Sequence, residues 1–136
     1  DGNNLVGANL QFVYLRNAEL RGADLRNADL RGAVLRNANL SVANLSGADL
    51  CKADLREANL YQARFRGANL RGADLREAYL DWADLRNTDL RKTNMSMSKL
   101  TGIDIRGATI DAEVVGIGIE TLFAALLGVN YEKGES

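Results

Sequence analysis

Cys51 is the one thiol in this chain, and there is no histidine to activate it. A nucleophilic or redox-active thiolate needs a base, a nearby cation or a second thiol. Arg31 and Arg71 lie twenty residues to either side of Cys51, but base and resolving thiol are missing, so Cys51 reads as an inert surface group. The same composition excludes a Ser-His-Asp triad, a histidine-based metal site and an intramolecular disulfide. No enzyme activity and no cofactor or metal are expected. What remains is recognition chemistry. Arg16 and Arg36 have Tyr14 and Val34 two residues before them, where Arg56 and Arg76 have Asp54 and Asp74. That makes Arg16 and Arg36 a less compensated pair and a candidate contact for phosphate or carboxylate. Tyr61, Tyr79 and Trp82, the last being the only Trp, are candidate anchors for a protein partner.

The elements that must position these residues follow from a period of five. Leu or an equivalent occupies every fifth position from Leu5 to Ile110, and 18 of the 22 are Leu. On an α-helix, five residues advance a side chain by about 500°, which forms no stripe. On a continuous strand, an odd spacing sends successive leucines to opposite faces. They reach one core only if the chain turns a corner in every repeat, which is the behaviour of a solenoid.

The other columns agree. Two residues before the Leu, 16 of 22 positions are Ala, a size that a crowded interior admits. One before it, 15 of 22 are Asp or Asn, which bond nearby backbone and favour turns. One after it, 12 of 22 are Arg, an outward and solvated column. Two after it, Gly and Asn are frequent, as suits a corner with positive φ. Lys52, Glu57 and Trp82 in that column predict that some corners do without such a conformation.

Runs such as Ala23-Asp24-Leu25-Arg26-Asn27 and Ala48-Asp49-Leu50 carry the pattern A(D/N)LxX over about four fifths of the chain. The chain therefore resembles a pentapeptide-repeat protein, and is similar to small cyanobacterial members of that family. The resemblance implies an all-β solenoid: a right-handed quadrilateral β-helix with one pentapeptide per face. On that basis there are about five and a half coils, at ~4.8 Å per coil in a rod roughly 25 Å long.

With twenty residues per coil, residues twenty apart stack. The wall of Leu20, Leu40, Leu60, Leu80 and Leu100 then departs most from the pattern, and gathers Tyr61, Tyr79 and Trp82 on its outside. Net charge is −1 overall, but the repeats through Ile110 are slightly basic and the remainder is acidic. Domain organisation reads as a repeat rod over 1–110, then a loop, a short capping helix and an acidic tail over 111–136. That helix is expected around Ile119–Leu127, with Leu122, Phe123 and Leu126 covering the open end of the rod or making a dimer contact.

The reading of function is a non-enzymatic structural or protein–protein interaction module that presents a rigid surface to a protein partner. The resemblance also supplies an alternative, a DNA mimic that binds a type II topoisomerase and protects gyrase, but that role needs acidic ladders and the rod is slightly basic. Direct nucleic-acid binding and membrane association are not expected. The expected state is a monomer or a weak homodimer through the C-terminal end. The expected address is cytoplasmic, with periplasm or thylakoid lumen as alternatives for a chain that has shed a signal peptide.

Overall fold

A computed structural model describes residues 3–118. Its unit is a turn. From Leu5 to Ile105 each Leu-column carbonyl accepts a hydrogen bond from the amide three residues on, as Leu25 does from Ala28 at 3.1 Å. The residue two after the Leu has positive φ at every such corner from Gly7 to Gly107, while the residue between them does not. A bond of that span with positive φ only at its third residue is a type II turn.

Thirteen of these corners carry a residue other than Gly, including Lys52 (φ 59), Glu57 (φ 59) and Trp82 (φ 63). The expectation that such residues mark relaxed corners is therefore corrected. The reason lies in the neighbouring coil. From Gly7 to Asn87 each corner amide donates to a carbonyl of the next coil, as Glu57 does to Arg76 at 3.0 Å. That bond fixes the corner whatever side chain it carries, at a cost of ~1–2 kcal/mol for a side chain in the left-handed region.

The rest of the repeat pairs with the coils on either side. Residues in the Asp/Asn column form parallel bridges twenty residues apart, such as Asp24 with Asn44 and Asp54 with Asp74. Toward the next coil, Leu25 N–H donates to Asn44 O at 2.8 Å and Asn27 N–H to Ser46 O at 3.0 Å. In the opposite direction, Asn44 N–H donates to Ala23 O at 2.9 Å. Each pairing is one residue long. Among the described residues the solenoid is built of isolated bridges rather than extended strands, because the turn occupies four of every five residues.

Only the amide after the Leu is left over. The Asp or Asn side chain two residues earlier accepts it, as Asp54 Oδ1 does from Arg56 N–H at 3.2 Å. Every amide of such a repeat thus has an acceptor, which a narrow buried fold requires.

The Leu and Ala columns are buried from Leu20 to Leu90, with Phe65 enclosed in place of Leu. Thr88 and Thr93 fill the Ala column without leaving a polar group unpaired, because their hydroxyls donate to Leu85 O at 2.7 Å and Leu90 O at 2.8 Å. At the N-terminal end, Leu5, Leu10 and Leu15 are only partly buried. Past Ile110 the pairing continues with a slip: Asn94 bridges to Val115, a step of twenty-one. Gly116 (φ 91) follows, with the Met95 and Ser96 backbone so close that a Cβ there would overlap it. The expected helix, with Leu122, Phe123 and Leu126, lies outside the described residues.

Candidate partner-binding groove

On most of the rod the outward charges are spent on one another. Asp24, Asp29, Asp54, Asp74, Asp84, Asp89 and Asp104 each hold the Arg two residues on, at 2.6–2.7 Å. Each contact has two points, as in Arg56 Nε to Asp54 Oδ1 at 2.8 Å and Nη2 to Oδ2 at 2.7 Å. Weaker contacts tie successive coils, such as Arg56 to Asp74 at 3.8 Å. The guanidinium lowers each carboxyl below its ordinary range, taking Asp29 to about 2 against Arg31. Seven of the twelve arginines of that column are therefore neutral clamps rather than rungs of an open cationic ladder.

The wall of Leu20, Leu40, Leu60 and Leu80 is built differently. Its column before the Leu reads Glu19, Asn39, Asn59 and Tyr79, and its column after reads Arg21, Ser41, Tyr61 and Asp81. Ser41 is short and buried, and its hydroxyl donates to Asn39 Oδ1 at 2.7 Å. This wall carries an open groove of about 640 Å³. Its lining comes from the column of Glu19, Asn39, Asn59 and Tyr79, from the corner residues Asn17, Asn37 and Glu57, and from Tyr61 and Asp81. The corner column is itself bonded, with Asn37 Nδ2 donating to Asn17 Oδ1 at 2.7 Å.

Tyr61 and Tyr79 thus share this groove, at 43% and 45% exposure. Trp82 does not line it. Its ring lies over Gly102 in the next coil, a position open to it because Gly102 has no Cβ, and it stays 53% exposed on the same wall. The Tyr79 ring also has the Lys99 ammonium 5.1 Å from its centroid. Arg16 and Arg36 part company: Arg36 Nη2 reaches Glu57 Oε1 at 2.9 Å, while Arg16 makes no ion pair among the described residues. Arg36 is therefore compensated, by a carboxylate one coil on. Cys51 is half-buried, and its amide donates to Asp49 Oδ1 at 3.1 Å.

Sequence reasoning passed over Glu19 and Asp81. Neither makes an ion pair among the described residues. Glu19 Oε2 accepts from Asn39 Nδ2 at 3.0 Å, and Asp81 Oδ1 from the Thr101 amide at 3.0 Å. The signal for Asp81 was available: it is an acid in the Arg column, preceded by Tyr79 where an Asp would stand.

The profile of pentapeptide repeats, in 8 copies, matches residues 4–41, 33–72, 43–81 and 68–107. This chain belongs to the pentapeptide-repeat family. Solved pentapeptide-repeat structures share the fold. Rfr23 from the cyanobacterium Cyanothece 51142 is 35% identical, with a TM-score of 0.68 over 69% of this chain and 64% of that one. This pentapeptide-repeat chain thus spans under two thirds of that relative's length. A pentapeptide-repeat protein of the Arabidopsis thaliana thylakoid lumen is 25% identical over 85% of each chain, also with a TM-score of 0.68. No curated protein matches the sequence.

Proposed function

We propose that this pentapeptide-repeat chain is a non-enzymatic interaction module that engages a protein partner through the Leu20–Leu80 wall. In this reading about five and a half right-handed coils hold that wall rigid. The observation that carries it is the contrast between walls. Elsewhere most outward aspartates are held by the arginine of their own repeat, whereas this wall gathers two tyrosines, a tryptophan and two carboxylates with surface to spare. Rigid aromatic side chains on a preformed surface lose little freedom on binding and supply most of the contact energy at interfaces.

The test is capture of partners from an extract of the native organism, using the parent and a Tyr61→Ala/Tyr79→Ala/Trp82→Ala variant. Recovery is expected to fall at least about tenfold, since aromatic anchors typically contribute more than a tenfold change in affinity each. A Phe12→Ala/Tyr14→Ala variant, which removes exposed rings off that wall, should recover partners like the parent. Equal recovery by all three proteins would overturn the assignment of the wall.

A further inference from the structure

We propose that the groove binds arginine side chains carried by an extended segment of the partner. The proposal rests on the interaction reading above and names the chemistry that fills the groove.

Its first support is charge. Asp54, Asp74 and their counterparts are already held at two points by a guanidinium of their own repeat. The groove reverses that arrangement. Asp81 is the one acid in the outward column between Val6 and Arg106. One of its oxygens accepts the Thr101 amide, and the other has no protein donor among the described residues. Glu19 stands in the same condition, with one oxygen bonded to Asn39. Glu57, between them, is answered by Arg36. Arg21 is not part of the lining, and Lys99 approaches Tyr79 from the following coil. The lining therefore offers free carboxylate oxygens at Glu19 and Asp81 and includes no Lys or Arg of its own.

The second support is the pair of rings. Tyr61 and Tyr79 border the same space, and Lys99 shows that the Tyr79 ring already accepts a cation at 5.1 Å. A guanidinium answers both features at once, because its planar fork bonds a carboxylate and its face stacks on an aromatic ring. An ammonium provides neither the fork nor the flat face.

The third is spacing. Glu19 and Asp81 belong to coils three steps apart, since Glu19, Asn39, Asn59 and Tyr79 form one bridged column. Three steps of ~4.8 Å make about 14 Å. An extended peptide rises ~3.3 Å per residue, so side chains four residues apart lie about 13 Å apart on one side. An Arg-x-x-x-Arg segment laid along the rod therefore brings one guanidinium to each free carboxylate.

The probe is the peptide Arg-Ala-Ser-Ala-Arg, acetylated, amidated and fluorescently labelled, titrated into the whole chain at low salt. Saturable binding is expected, weakened about tenfold or more by Asp81→Asn and by Glu19→Gln. The same peptide with citrulline for arginine should lose binding, and lysine for arginine should weaken it. Glu113→Gln, an exposed acid outside the groove, should bind like the parent. Parent-like affinity in both Asp81→Asn and Glu19→Gln, or no saturable binding at millimolar peptide, would overturn the proposal. If the peptide fails to bind while the aromatic triple variant still loses partners, the arginine assignment alone falls. If the triple variant keeps its partners too, the interaction reading falls with it.

Discussion

An aspartate before a buried leucine does two things with one carboxylate. Asp54 accepts the Arg56 amide that no coil can reach, and it grips the Arg56 side chain. The backbone half of this role was legible in the sequence, because Asp and Asn beside a corner favour bonds to nearby amides. The grip was not, since it depends on the turn bringing a side chain two residues on back over the carboxylate. Its consequence is a dependence on pH. Arg31 holds Asp29 near 2, and the same kind of contact lowers Asp24, Asp74, Asp84 and Asp104. An unfolded Asp titrates at about 3.9. The folded pKa is the lower one, so the contribution is fully present above about pH 4 and is lost as pH falls toward about 2. Thermal melts followed by circular dichroism should therefore agree at pH 7 and pH 5, and Tm should drop between about pH 4 and pH 2. The pairs are partly exposed, so the drop should shrink in high salt. An unchanged Tm at pH 2 would contradict this role.

At the scale of the element, the corner decides which residues are strained. Sequence alone made Glu57, Lys52 and Trp82 into exceptions, because a side chain with positive φ is uncommon. The structure shows one corner geometry throughout, held from Gly7 to Asn87 by a bond to the next coil that no single repeat reveals. Glu77 is the cleanest case, since it is exposed, makes no ion pair among the described residues and has φ 60. Glu77→Gly should raise stability by about 0.5–1 kcal/mol, the relief of strain less the extra freedom of the unfolded glycine. Gly102→Ala should act the other way. It introduces a Cβ where the Trp82 ring lies, on a backbone with φ 64. A loss of about 1–2 kcal/mol is expected, with a shift in the emission of the single Trp. Chemical denaturation of the two variants would show opposite changes. A destabilised Glu77→Gly would mean that the corner side chain contributes more than its strain costs. The slip at Val115 was equally hidden, because one inserted residue leaves no mark in a segment already without repeats.

Across the whole molecule, the period of five specified the solenoid, and the composition removed histidine chemistry and an intramolecular disulfide. Function was less legible because it depends on residues twenty apart in sequence. Glu19 and Asp81 meet one groove only through the coil, and Trp82 leaves it by lying over Gly102. The paired charges also bear on the alternative of a DNA mimic. A duplex-like stripe needs uncompensated carboxylates along the axis, whereas here most outward Asp residues clamp their own Arg. The central claim is that one wall does the recognising. Hydroxyl-radical footprinting of the chain, free and in its captured complex, tests that claim at the side chains themselves. Oxidation of Tyr61 and Tyr79 should fall on complex formation, while Tyr14 and Phe12, more exposed at 84% and 70%, should oxidise as before. Protection of Tyr14 and Phe12, with Tyr61 and Tyr79 unchanged, would contradict it.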